Sequence, residues 1–390
     1  MHQLPINFYI NKKEDIVKIK RNILLNPGPA TTTDTVKAAL LAPDMCHREQ
    51  DFVDVIEKLR KDLVKIAHGN DKDHVAVLFS GSGTINMDVA LNSLLPDSKK
   101  VLIINNGAYS SRAVDICKYY GLSYIELKLD FTAPIEPGKV KEVLNDNPDI
   151  TLVYTTHHET GSGILNDIRS IGKIVHEHQA VFVVDATSSF ALVPLDIVID
   201  NVDFLLASAQ KGIAAMPGLS FVIGRRDLIE LSKDYPKRSY YCNLYRQYHH
   251  FEVDGEMQFT PPVQLVYAAA QGVKEYFAEG EDDKYKRIVR VNQAIHEGLK
   301  RLGFKEYIKR ENQGPLVVSV LYPNDINWDF KKVHDFCYER GFILFPRPVG
   351  GVPAFRLGSL GAIDVGDIDN FFKVLKDALL SLKIEVPVRY

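Results

Sequence analysis

The run VFVVDATSSFALVPLDIVIDNVDFLLASAQK, residues 181–211, places Asp185 at the end of one apolar segment and Lys211 just after the next. The stretch between them, ALVPLDIVIDNV, is long enough for a crossover, so two neighbouring strands can deliver both groups to one edge of a sheet. A lysine amine can condense with an aldehyde, and a carboxylate can keep a pyridine nitrogen protonated so that the ring withdraws electrons. The pair therefore points to pyridoxal phosphate. A strand-end aspartate and an unrelated surface lysine would give the same letters, so the choice depends on what surrounds them.

Outward from this run the chain repeats one pattern. Short β-branched segments (VAVLF, VLIINN, SYIELKL, TLVYTT, AVFVVDA, VDFLLAS and LSFVIG) are separated by stretches with helical spacing. Strand–helix repetition predicts a mostly parallel, seven-stranded sheet with helices on both faces, an α/β architecture. VDFLLAS and LSFVIG are too close for a helical crossover, which predicts that one of them runs antiparallel. Beyond residue 262 the pattern changes. PPVQLVYAAAQGVKEYFAEG reads as a long helix, and Ile288, Val291, Ile295, Leu299 and Leu302 mark the apolar stripe of a second. LVVSVLY, FILFP, AFRLGSLG and a last helix carrying Ile368, Phe371, Leu375 and Leu379 complete a smaller α+β unit. The expected division is an N-terminal extension at residues 1–21, a large domain at 22–270 and a small C-terminal domain at 271–390.

Composition excludes several classes of partner. The 390 residues are 46% hydrophobic and 25% charged with a net charge of −3, so no basic field invites nucleic acid or an anionic membrane. No run reaches the roughly 18 apolar residues of a membrane span, and no apolar leader opens the chain. Cys46, Cys117, Cys242 and Cys337 are scattered without a CxxC, which fits buried small hydrophobes in a reducing cytoplasm.

Four segments could serve a cofactor or its substrate. VAVLFSGSGT leads into INMDVALNSLL, placing Ser82, Gly83 and Thr84 at a helix amino terminus, where free amides and the helix dipole favour phosphate. Plain capping explains the same residues equally well. Tyr109 follows a strand and a glycine, where an aromatic can stack on a planar ring or simply pack. TLVYTTHHETGSG ends in two histidines and a carboxylate, but adjacent strand residues face opposite ways, so His157 and His158 cannot share a metal without a bend. Thr160 in that segment is the better candidate, as a hydrogen-bonding partner for a ring oxygen or a phosphate. Arg356, between Phe355 and Leu357, is either half of a structural ion pair or a planar fork for an anionic substrate. Ser208 and Lys211 also spell the SxxK of acyl-transferring serine enzymes, though without the SDN and KTG elements that accompany it.

Taken in order, LLNPGPATTT, HREQDF, SGSGT, NNGAYSSRAVD, HHETGSG, VVDATSSF, SAQKG, QFTPP and FRLGSLG resemble the class V, fold type I aminotransferases, over about residues 22 to 380. HHETGSGILN and DATSSF resemble the branch that handles phosphonates. The resemblance implies transamination between 2-aminoethylphosphonate and pyruvate with pyridoxal phosphate, in the cytoplasm. It also implies Lys211 as the covalent anchor and proton shuttle, and Asp185 as partner of the pyridinium nitrogen. Ser82, Gly83, Thr84 and Gln210 are implied around the phosphate, Tyr109 and Thr187 on the two ring faces, and Thr160 at the ring hydroxyl. Thr260 is implied to reach the phosphate of a neighbouring subunit, hence a homodimer with composite sites. Arg356, the backbone at Pro29 and Ala30, and Arg48 of the His47–Arg48 pair are implied at the substrate anion. Members that act on phosphonates carry a basic residue two positions before the matched threonine; Gln258 stands there in this chain, after Met257. The alternatives are an alanine or serine:glyoxylate aminotransferase, a cysteine desulfurase, and a non-catalytic cofactor-binding protein. Cys337 lies in the helical stretch KKVHDFCYERG rather than on the loop a desulfurase needs.

Overall fold

The computed structural model describes residues 20–345 and 351–390, so the expected extension at 1–21 lies almost wholly outside the described residues. The seven β-branched runs form one sheet: β1 (His74–Gly81), β2 (Lys100–Asn105), β3 (Tyr124–Lys128), β4 (Ile150–Thr156), β5 (Val181–Asp185), β6 (Phe204–Ser208) and β7 (Gly218–Arg225). Their order is β1-β7-β6-β5-β4-β2-β3. β7 is antiparallel to both β1 and β6, as its short link from β6 requires, and every other pairing is parallel. Helices cover both faces, so the inner strands are buried along nearly their whole length and read as continuous apolar runs.

Two helices matter for what the sheet carries at its edge. Helix α1 (Thr84–Leu94) follows β1, and α2 (Ala108–Tyr120) follows β2 and stops at Gly121, whose φ of +64° suits a residue without a side chain. Later in the chain, α3 (Val263–Glu279) and α4 (Glu281–Leu302) meet at Gly280, and α4 buries all five residues of the expected stripe. Helix α5 (Val365–Ser381) begins with a capping box between Asp364 and Asp367 and buries Ile368, Phe371, Leu375 and Leu379. A two-stranded antiparallel sheet of β8 (Val317–Leu321) and β9 (Ala354–Gly358) packs with α4 and α5.

The apolar interior is divided. One cluster runs from Val36 to Tyr276 around the large sheet; a second gathers α4, α5, β8 and β9. Ile23 and Leu25 belong to the second, because Ile23–Leu24 pairs in parallel with Phe342–Ile343. We propose that these clusters mark the two domains, divided near residue 270, with the segment around residues 23–25 packed into the second. Cys117 and Cys337 are buried, whereas Cys46 is exposed in the irregular stretch before the helix Gln50–Ile66, contrary to expectation; none is disulfide-bonded. Among the described residues no helix is long and apolar enough to cross a membrane.

Leu375 is fully buried in the second cluster. Leu375→Ala should therefore lower stability by about 2–5 kcal/mol, seen as a fall in the denaturant midpoint with little change in slope.

Candidate active site

Parallel strands bring their carboxyl ends to one edge, and ligands of α/β sheets bind outside that edge. β1 ends at Ser82-Gly83-Thr84, β2 leads to Tyr109, β4 to His158 and Thr160, β5 ends at Asp185, and β6 leads to Gln210 and Lys211. All of these residues, with Thr187, line one cavity of about 280 Å³. Nine of the expected site residues thus converge, although they come from separate parts of the chain.

Asp185 is buried opposite Thr156 in the ladder between β4 and β5. Its carboxylate accepts from the Tyr154 hydroxyl at 3.1 Å and from the Thr187 backbone N–H at 2.9 Å. Lys211 is also buried and donates from Nζ to the Pro27 carbonyl at 2.5 Å. Burial pushes its pKa down to about 8; the nearby Asp185 carboxylate opposes that shift and the Arg356 charge adds to it. Gly28, with φ of +127°, lies so close that a Cβ there would run into the Lys211 side chain.

Thr84 is the first residue of α1, and no side chain caps that terminus. A Cβ on the preceding Gly83 would sit 2.8 Å from the Thr187 methyl and 3.3 Å from Ser208 Oγ, so only glycine permits this closeness. Arg112 also lines the cavity; its Nη1 donates to Thr84 Oγ1 at 2.8 Å, and its guanidinium lies 4.8 Å from the centre of the Tyr109 ring. Arg112 was not among the expected site residues, although it stands one helical turn after Tyr109 in α2, a spacing visible in the sequence.

Beneath Tyr109 lies a second residue without an assigned part, Glu159. It is fully buried and accepts from the backbone N–H groups of Tyr109 at 3.2 Å and Gly161 at 2.9 Å. Burial pushes its pKa up to about 7, against those hydrogen bonds. His158 faces Ser188, with Nδ1 and Oγ 3.2 Å apart, and burial pushes it down to about 3, so the ring is neutral. His157 is likewise pushed down by burial, to about 4. Among the described residues no group of three His, Cys, Asp or Glu side chains is placed to bind a metal.

Thr156 Oγ1, His158 Nε2, Thr187 Oγ1 and Gln210 Oε1 all belong to cavity-lining residues, are buried, and have no hydrogen-bond partner within the described chain. Buried polar atoms are nearly always paired. Four such atoms around one space, with a helix amino terminus at one end and a carboxylate and an amine in its walls, fit a flat polar group that carries a phosphate. Pyridoxal phosphate is such a group.

The outer residues are less uniform. Arg356, on β9, is buried, donates from Nη1 to the Thr160 carbonyl at 3.1 Å, and lies 4.7 Å from the centre of the Phe345 ring. It therefore abuts the segment that supplies Thr160. Pro29 lines the cavity but Ala30 does not; the Ala30 N–H is taken by the Gln210 carbonyl at 2.8 Å, so it is not a donor for a substrate. Arg48 is not brought to the cavity either. Its half-exposed guanidinium is ion-paired with Glu256, a partner that sequence spacing gave no reason to expect. Thr260 is exposed and outside the cavity of its own chain.

Residues 35–343 match the Aminotransferase class-V family. The chain is 34% identical over 358 residues to a 2-aminoethylphosphonate–pyruvate transaminase of Lactiplantibacillus plantarum, covering 91% of this chain and 97% of that one. It is 35% identical to a protein of the same name from Phocaeicola vulgatus, covering 91% and 98%. Among solved structures, ureidoglycine–glyoxylate aminotransferase from Bacillus subtilis superposes with a TM-score of 0.86 at 17% identity, covering 95% of this chain and 96% of that one, which shows a common fold.

The position of Lys211 can be tested chemically. Burial disfavours the ammonium, so the neutral, reactive fraction should grow as pH rises through about 8 instead of near 10.5. Trapping of the cofactor-free protein with an aldehyde and borohydride, followed by peptide mapping, should label Lys211 with a half-maximal rate near that lower pH. A half-point close to 10.5 would show that the amine is solvated.

Proposed function

Because the chain belongs to the class-V aminotransferases, we propose that it moves the amino group of 2-aminoethylphosphonate to pyruvate, giving phosphonoacetaldehyde and alanine. The observation that carries this reading is the meeting of Lys211, Asp185 and the Ser82–Thr84 turn in one cavity, in a chain about one-third identical over nine-tenths of its length to transaminases of that name. The cofactor is pyridoxal phosphate. When bound, it supplies a ring that draws electron density from the carbon bearing the amino group.

The chain's own residues do the rest. Lys211 would hold the cofactor, and its amine would take up the proton from the carbon next to the substrate nitrogen. An amine whose pKa lies near 8 has a neutral form available for that work, whereas one near 10.5 is almost entirely protonated at neutral pH. Asp185 would hold a proton on the ring nitrogen, with Tyr154 and Thr187 fixing the direction of its carboxylate. Ser82, Gly83, Thr84 and Gln210 would hold the phosphate, Tyr109 and Thr187 the ring, and Thr160 its hydroxyl. Arg356, desolvated beside the Thr160 carbonyl, orients the substrate anion, where a guanidinium fork suits a phosphonate or a carboxylate.

The same proposal includes a cytoplasmic homodimer, in which Thr260 reaches the partner's site. Its exposure leaves it accessible to a second copy. Gln258, where a basic residue was expected, lies against Arg246: with the amide turned to offer its oxygen, it accepts from Nη2 at 2.8 Å. A cation therefore remains beside this segment although position 258 has none.

Paired assays test the substrate. Turnover with 2-aminoethylphosphonate and pyruvate is expected; robust turnover of alanine or serine with glyoxylate and none of 2-aminoethylphosphonate would transfer the assignment to the glyoxylate enzymes. Lys211→Ala should abolish transamination, and full activity in that variant would refute the mechanism. Arg356→Gln should act mainly through KM, raising it about 10-fold or more for both anionic substrates, as loss of one charged hydrogen-bonding partner predicts.

A further inference from the structure

Helix α4 carries a second buried lysine, Lys284, which the reaction does not use. It is 6% exposed, and its Nζ donates to the Gly212 carbonyl at 2.6 Å and lies 5.0 Å from the centre of the Tyr276 ring. Gly212 follows Lys211 directly. A buried ammonium is costly to desolvate, and this one is placed where its charge and its donor reach the peptide next to the anchoring lysine.

Three further contacts hold the same turn. A Cβ on Gly212 would collide with the Phe190 carbonyl oxygen, and one on Gly272 of α3 would meet the Ile213 carbonyl at 2.5 Å. Ala214 packs into the small apolar cluster that contains Ile288 of α4. The turn is therefore pressed between the segment after β5, α3 and α4, and Lys284 is the polar fastening within that packing. The charged and titratable groups around the Lys284 ammonium are Glu275, Tyr276 and Glu279 from α3 and Arg287 from α4. The Glu279 carboxylate is itself bound by Arg287, at 2.5 and 3.0 Å.

We propose that Lys284 is a positioning residue: through its hydrogen bond to the Gly212 carbonyl it fixes the turn that carries Lys211 and keeps that lysine buried. The inference goes beyond the reading given above and depends on it only in taking Lys211 as the cofactor's anchor.

The test is a titration of the visible absorbance of the holoenzyme against pH, which reads the proton equilibrium of the link between Lys211 and the cofactor. Burial disfavours the protonated form of that link, and freeing the Gly212 carbonyl loosens the turn that keeps Lys211 buried, so Lys284→Met should raise the midpoint by about half a pH unit, roughly a threefold gain in proton affinity. Lys284→Arg, which keeps a charge and a donor, should return the midpoint toward wild type. A Lys284→Met protein that melts at lower temperature but titrates at the wild-type midpoint would overturn the proposal, since packing alone gives that result. If the methionine variant does not accumulate as folded holoenzyme, Lys284→Gln is read by the same criterion, a raised midpoint supporting the proposal and an unmoved one ending it. A wild-type protein lacking cofactor absorbance that Lys211→Ala abolishes would refute the anchoring reading instead.

Discussion

The rest of the structure is arranged around the desolvation of one amine. An exposed lysine is charged at neutral pH and is a poor nucleophile; Lys211 is taken out of water at the carboxyl edge of the sheet, which lowers its pKa to about 8. Complete burial without compensation would be too costly, so the Pro27 carbonyl accepts from Nζ and Asp185 stands near enough to offset part of the shift. The parallel sheet is what makes this possible. Side by side, β4, β5 and β6 end on one edge, and each leads to residues of the wall around the amine.

Burial shifts the remaining titratable groups around the cavity. His158 and His157 are neutral because burial pulls both well below the ordinary imidazole range. Glu159 is pushed up to about 7 by the same cause, while two backbone N–H groups pull the other way. Asp185 and Lys211 stand in the cavity wall, Arg112 lines it beside Thr84, and Arg356 lies behind it on the Thr160 carbonyl. An anionic cofactor and an anionic substrate both find a guanidinium within reach of their sites.

Much of this was legible in the sequence because apolar periodicity and small-residue turns are local signals. The seven β-branched runs became the seven strands of the sheet, the antiparallel strand followed from the shortness of one link, and the stripe from Ile288 to Leu302 is buried as its spacing required. Ser82, Gly83, Thr84, Tyr109, Thr160, Asp185 and Lys211 follow strands and were legible for the same reason, whereas Thr187 and Gln210 entered only through the family resemblance. The failures have a common origin in tertiary partners. Arg48 is held by Glu256 and the Ala30 N–H by the Gln210 carbonyl, and no local pattern encodes either contact. Glu159 supports the Tyr109 backbone and Tyr154 the Asp185 carboxylate through burial and hydrogen bonds that local spacing does not encode.

The path of the chain before the first helix explains why the amine is approached from outside its own sheet. Ile23 and Leu24 pair with Phe342 and Ile343, so this segment is anchored in the second apolar cluster, and four residues later the chain passes Lys211 closely enough that position 28 admits no side chain. The Pro27 carbonyl thus comes to the lysine from a segment packed in the second cluster, while Lys284 of α4 holds the next peptide at the Gly212 carbonyl. Lys211 follows a strand of the large sheet but is held in place from outside that sheet on two sides. Packing around residues 23–25 and α4 is consequently a condition for the lysine's geometry, and a substitution there that leaves every cavity residue in place can still alter how the amine is presented.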